Sequence, residues 1–242
     1  MEVYMDLIKL KDNIYYTESD SVYDRPVLGY IKGKDFSIMV DAGNSKNHVK
    51  LYMELLKKNS LPMPKYCLIT HWHWDHTFGL NSIEFKTFSH KETDDKLSEM
   101  KEWEWTDKDM KQRLEDGIEI EFADIHIRQE YENLDEIVIK NIDETVEEKM
   151  IFDLGDITCE YFHLPSAHSD DSMVVYIPQE KIIFIGDIYN DDFYKNHYRD
   201  IEKTKKLYEA LEKIDFEIAV LGHGNPIEKG RLINFLKQFC TM

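Results

Sequence analysis

The chain reads as an α/β protein built from two similar halves, and three observations carry that expectation. Short apolar runs of strand length alternate with longer segments of helical period. The pattern occurs twice, on either side of a strongly acidic middle. Several of the strand-like runs end in a histidine or aspartate beside a turn-forming Gly, Ser or Pro. At 242 residues the chain is long for one core, yet 42% hydrophobic and 12% aromatic residues are enough to bury it, so residues 1–242 are expected to form a single domain.

In the first half, residues 8–16, 27–31 and 36–40 read as strands, with Gly33-Lys34 turning between the latter two. Residues 48–58 read as a helix feeding a strand at 66–70. In the second half, 149–152 and 158–163 flank the turn at Gly155-Asp156, and 172–177 and 181–185 flank Pro178-Gln179-Glu180. A helix at 201–214 and a last strand at 218–221 follow.

Between residues 91 and 149 stand 21 acidic and 9 basic side chains, so 12 of the 18 net negative charges fall in about a quarter of the chain. Leu97, Met100 and Trp103 recur at helical spacing, and Met110 and Leu114 do so after Thr106-Asp107, a helix start that Gly117 would end. Ile118, Ile120 and Phe122 alternate as in a half-exposed strand, and Ile137-Val138-Ile139 reads as the beginning of another. This acidic, helical insert at about 91–136 is either a solvated face or, with Trp103 and Trp105, a cover that shapes substrate choice or a subunit contact.

Composition narrows the function classes. Met1-Glu2-Val3-Tyr4-Met5-Asp6 carries acids where a secretory signal carries a basic stretch, and no apolar run reaches membrane-span length; a cytoplasmic protein is expected. Cys67, Cys159 and Cys240 are too few and scattered for a disulfide framework and read as buried free thiols. The charge of −18 argues against a nucleic-acid partner. A homodimer through an exposed face is the assembly expected, although no residue pattern specifies it.

Directly after residues 66–70 stands His71-Trp72-His73-Trp74-Asp75-His76, four potential metal ligands within six residues. Neutral imidazoles and carboxylates are ligands of catalytic zinc and related ions, and such a set leaves positions open for water. On a loop leaving a strand, His71 and His73 can point to one side while Asp75 and His76 reach another, which suits two ions sharing a cleft.

With this motif the sequence resembles the metallo-β-lactamase-fold superfamily of hydrolases. Three later segments match in the order that the family requires: Pro165-Ser166-Ala167-His168-Ser169, Ile185-Gly186-Asp187 and Leu221-Gly222-His223-Gly224. Upstream, Ile38-Met39-Val40-Asp41-Ala42-Gly43 looks like the family's strand-ending Asp-x-Gly. The resemblance covers roughly residues 8–90 and 137–239. It implies a four-layer αββα sandwich, one ion on His71, His73 and His168, a second on Asp75, His76 and His223, and Asp187 bridging them. It also implies that Asp41 orients a metal ligand; the residues alone allow it to cap the next helix instead.

The implied chemistry is hydrolysis by a hydroxide held at two divalent ions, zinc most readily and iron or manganese otherwise. Asp75, with a spare oxygen, would orient that hydroxide and protonate the leaving group. Tyr189 and Tyr194 follow Asp187 closely enough for a hydroxyl to reach a substrate carbonyl oxygen, or for both to serve as packing residues. Asp187 stands where one class of true β-lactamases carries cysteine, and Asn190 where that class places a lysine. His73 replaces the glutamate of flavodiiron relatives, and the chain ends about twenty residues after His223, with little room for the helical domain of glyoxalase-II-like thioesterases. A small ester, lactone or thioester is the expected substrate; a phosphodiester, or a metal-holding binding module without turnover, are the alternatives. His163 with Ser166 makes no nucleophilic pair, since Ser166 lacks the tight Gly-x-Ser-x-Gly turn. His90, His126 and His197 lack ligand-like spacing, and Asp170 and Asp171 are expected to shape the turn after His168.

Overall fold

The computed structural model describes residues 5–240; the start of the N-terminal stretch read as lacking a signal, residues 1–4, lies outside the described residues. Two sheets stack face to face, each with helices on its outer side. The first sheet runs in chain order through β1 (Leu7–Lys9), β2 (Ile14–Thr17), β3 (Gly29–Lys32), β4 (Ser37–Val40), β5 (Tyr66–Leu68), β6 (Lys86–Ser89) and β7 (Glu144–Thr145). The second is ordered β13-β12-β11-β10-β9-β8, from β8 (Lys149–Asp153), β9 (Thr158–His163), β10 (Met173–Ile177), β11 (Ile182–Gly186), β12 (Ile218–Leu221) and β13 (Ile227–Glu228).

Side-chain alternation creates the layers. Ile38 and Val40 of β4 enter the core between the sheets, where they meet Val175, Ile182 and Phe184 of the second sheet, while Met39 points to the helical side. There it packs with Val49, Tyr52 and Leu56 of helix α1 (Lys46–Lys58). On the other outer face, Ile183 and Ile185 of β11 meet Leu207 and Leu211 of α6 (Ile201–Lys213) and Leu232 and Leu236 of α7 (Lys229–Cys240). Between α1 and α6 in the chain lie a single-turn helix α2 (Trp74–Thr77) and the insert helices α3 (Lys91–Met100), α4 (Asp107–Glu115) and α5 (Glu121–Glu130). None of the helices among the described residues is long and apolar enough to cross a membrane.

Three expectations are corrected. Residues 8–16 are not one strand: Lys11-Asp12-Asn13 turns the chain, with the Leu10 and Lys11 N–H groups both donating to the Ile14 carbonyl, and β1 and β2 form an antiparallel pair. Residues 118–122 are no strand either. Glu121 opens α5, with Glu121 and Asp124 in its favourable first turn, and its buried stripe is Ala123, Ile127 and Glu130. Residues 137–139 alternate in burial, but Ile137 and Ile139 lie on the helical layer while Val138 faces out, and no ladder forms there; the sheet is extended at β7 instead. The two helices expected around Leu97 and Met110 are α3 and α4, the latter capped by Thr106, whose hydroxyl accepts from the Asp109 N–H. Cys67 and Cys159 are buried and Cys240 is partly exposed, all three as free thiols.

Candidate metal centre

The parallel pairs β4-β5 and β11-β12 deliver their carboxyl ends to one edge of the sandwich. Asp41 follows β4, His71 and His73 lie on the loop after β5, Asp75 and His76 are on α2, His168 follows β9, Asp187 follows β11, and His223 follows β12. Strand ends aim side chains reproducibly because the ladder behind them is rigid. At β11-β12 the register shifts between Phe184 and Gly186, and Gly186 adopts φ +50, which redirects the chain just before Asp187. Gly222 permits the same approach from the neighbouring strand, since a Cβ there would lie 2.2 Å from Asp187 Oδ1.

Seven side chains converge in two groups. His71, His73 and His168 form the first, with His168 Nε2 at 3.3 Å from His71 Nε2 and 3.0 Å from His73 Nδ1. Asp75, His76, Asp187 and His223 form the second, with Asp75 Oδ2 at 3.0 Å from both His76 Nε2 and His223 Nε2. Asp187 Oδ2 lies between the groups, 3.9 Å from His168 Nε2, 3.8 Å from His76 Nε2 and 3.6 Å from His223 Nε2.

The residues behind the cluster set its tautomers. His168 Nδ1 donates to the Asp191 carbonyl at 2.8 Å, and a carbonyl can only accept, so a neutral His168 presents a bare Nε2 to His71 and His73. His76 Nδ1 likewise donates to Asp41 Oδ2 at 2.8 Å, turning Nε2 toward Asp75. Asp41 has left-handed φ +61, and its carboxylate also accepts from the Thr70 N–H at 2.7 Å and the Thr70 hydroxyl at 3.0 Å. The capping role belongs to Ser45, whose hydroxyl accepts from the His48 N–H at the start of α1.

A divalent metal ion fits this donor set. Burial and then the neighbouring imidazoles hold His71 and His73 well below the ordinary histidine range, so each neutral ring has one nitrogen with a lone pair to offer a cation. In the second group burial opposes charge, yet the Asp75 and Asp41 carboxylates lift His76 well above its usual range, and Asp187 and Asp75 raise His223 to about 9. Burial would raise Asp75 and Asp187 too, but the adjacent histidines keep both carboxyls low. A bound cation would take the place of the protons that these histidines otherwise hold beside the carboxylates. His76 Nε2 and Asp187 Oδ1 are also buried without a hydrogen-bond partner, which a ligated cation would resolve.

A cavity of about 380 Å³ opens on the cluster, lined by His73, Asp75, His168, Asp187 and His223 and by the apolar side chains of Ile120, Phe122, Ala123, Trp74 and Phe193. Tyr189 and Tyr194 both line it, but their hydroxyls are engaged: Tyr189 donates to the His223 carbonyl at 3.2 Å and Tyr194 pairs with the Glu119 carboxyl at 2.9 Å. The Tyr194 ring lies 5.1 Å from the His73 ring and 4.9 Å from Trp72, as a wall between them and the insert.

Four supporting residues escaped the sequence reading. Thr70 joins Asp41 to the histidine loop, and Asp24 lines the cavity with burial and then Asp75 raising its carboxyl to about 7. Glu119, also raised by burial, holds Tyr194 from the insert. Asp171 does more than shape a turn: it accepts from the Trp72 N–H at 2.8 Å and the Thr93 hydroxyl at 2.6 Å, fastening the histidine loop to α3. These contacts span 99 and 78 residues in the chain, so no local spacing announces them.

The fold and this centre together define a metallo-β-lactamase-like protein. Residues 27–223 match the family model of the metallo-beta-lactamase superfamily, and the chain belongs to that superfamily. Solved structures agree on the fold. The chain is similar to DIM-1 metallo-beta-lactamase, at 20% identity and TM-score 0.68 over 98% of this chain and 95% of that one. It is similar to a metallo-beta-lactamase from Pontibacter korlensis, at 18% identity and TM-score 0.68 over 99% and 100%. The sec-alkylsulfatase Pisa1 from Pseudomonas sp. aligns at 13% identity and TM-score 0.69, covering 98% of this chain and 41% of that one. No curated protein sequence matches the chain significantly.

Proposed function

We propose that the protein is a hydrolase with a two-metal centre acting on a small ester, lactone or thioester. The observation that carries this reading is the position of Asp187 between two ligand groups that open on one largely apolar cavity. Two bound ions, zinc, iron or manganese, would lower the pKa of water toward neutrality and polarise the scissile carbonyl. His71, His73 and His168 would hold one, Asp75, His76 and His223 the other, and Asp187 both. Asp75 turns one oxygen to His76 and His223, and its second oxygen would accept a proton from the attacking water and return it to the departing alkoxide or thiolate. Asp41 keeps His76 aimed, and the apolar wall excludes bulk water from the scissile bond.

β-Lactam hydrolysis fits less well. Asn190 lines the cavity where a lysine would meet the drug's carboxylate, and among the described residues no Lys or Arg lines it. The same lack, with the charge of −18, weighs against phosphodiesters. The test is metal content per chain together with hydrolysis of esters, lactones, thioesters and phosphodiesters before and after chelation. Close to two metals with chelation-sensitive turnover supports the proposal and names the bond class. Folded protein that takes up no metal overturns it, and two metals without turnover favours a metal-holding binding module.

A further inference from the structure

The insert contributes part of the lining of the cavity on which the metal-ligand cluster opens. Ile120, Phe122 and Ala123, at the start of α5, line it together with Trp74 and Phe193. The charged side chains lining it are histidines and the carboxylates Asp24, Asp75 and Asp187, with no Lys or Arg among the described residues. The apolar surface does not stop at the mouth. Phe122 is 49% exposed, and Ile125, three residues along the same helix face, is 45% exposed. An exposed apolar ridge that continues a ligand cavity extends the surface on which a ligand can lie.

We propose that this α5 wall selects substrates by their chain: it seats an uncharged, unbranched acyl or alkyl chain that leaves the metal centre along Ile120, Ala123 and Phe122 and continues over Ile125. Chains bearing an anion at the far end are excluded, because that charge would be desolvated against the apolar side chains of α5, and no Lys or Arg among the described residues lines the cavity to meet it. This inference rests on the hydrolase reading for its kinetic test only. Each methylene buried on the wall strengthens binding of the chain, so kcat/KM should rise about fourfold per added CH₂ until the ridge is covered.

The experiment uses metal-loaded protein and p-nitrophenyl esters from acetate to decanoate, each medium-length ester paired with its ω-carboxylate counterpart. The expected result is a rise of about fourfold per methylene, with the ω-carboxylates at least about tenfold poorer. Phe122→Ser should flatten the rise, and Phe122→Lys should reverse the preference toward the ω-carboxylates. Calorimetric titration of metal-free protein with octanamide and its ω-carboxylate analogue supplies a readout independent of turnover: octanamide should bind and the analogue should not. Turnover with no dependence on chain length, or a preference for anionic chains, overturns the proposal and leaves the hydrolase reading standing. If no ester is turned over, the hydrolase reading fails, and octanamide binding alone then decides the wall: absence of binding overturns it.

Discussion

Asp41 and His76, 35 residues apart, are joined by a 2.8 Å hydrogen bond from Nδ1 of the imidazole to a carboxylate oxygen held in a left-handed backbone turn. The strained turn persists because Thr70 fastens the same carboxylate twice. A carboxylate behind a ligating histidine fixes the ring's tautomer and raises its basicity. Asp41→Asn should therefore weaken metal binding by about 10- to 100-fold. Competition with a chromophoric chelator would measure this, and unchanged affinity would show that Asp41 serves the backbone alone.

Gly222 predicts a sharper effect from a single methyl group. Its Cβ would lie 2.2 Å from Asp187 Oδ1, so Gly222→Ala must push the central carboxylate out of place. Metal stoichiometry and turnover should both fall at least about tenfold, by loss of aligned ligation. Gly230, where a Cβ meets nothing within 4 Å, is the control: Gly230→Ala on α7 should keep full metal content and gain about 0.5–1 kcal/mol. Equal behaviour of the two variants would dismiss the steric argument.

The sequence showed the seven clustered side chains because His71, His73, Asp75 and His76 crowd into six residues directly after an apolar run, while His168, Asp187 and His223 each stand beside a Gly or Ser that marks a turn after a strand. Strands such as β4 and β11 were legible because Ile38 and Ile182 belong to continuous apolar runs buried on two faces, whereas β6 and the two-residue β7 and β13 lack such a run. Asp24, Glu119 and Asp171 were not legible, because a buried carboxylate with partners distant in the chain looks like any surface acid. The stretch from Ile118 to Phe122 misled because two-residue alternation there places Phe122 toward the cavity rather than in a ladder, while the helix that follows has its own stripe.

Arg25 and Glu130 tie the first half to the insert, and their loss should be felt in stability. Arg25 Nε and Nη2 donate to the two Glu130 oxygens at 3.1 and 2.9 Å, both side chains are buried, and the Ser45 hydroxyl joins the same carboxylate. Removing one partner strands the other charge in the interior. Glu130→Ala should cost about 3–5 kcal/mol, whereas Arg25→Met with Glu130→Leu should recover most of that loss. Denaturant midpoints of Arg25→Met, Glu130→Leu and the double variant provide the test. Additive losses would mean that the pair has no energetic coupling.

His48 provides the pH dependence. It is fully buried on α1, both ring nitrogens lack hydrogen-bond partners, and burial followed by the nearby Arg25 charge lowers its pKa to about 3. The unfolded chain takes up a proton on this residue near its ordinary value of about 6.5, while the folded chain resists until about pH 3. Between those values the unfolded state binds more protons, so stability must fall as pH falls, with no contribution above the unfolded value. The slope assignable to His48 approaches about 1.4 kcal/mol per pH unit below pH 6. His48→Leu, of similar volume and without polar nitrogens, should remove about one proton from that slope and leave stability at pH 8 equal or higher. Urea titrations of metal-free protein from pH 8 to 4.5 would show it, since chelation separates this effect from proton competition at the metal ligands. A slope identical in both proteins would mean that His48 is not the residue that titrates on unfolding.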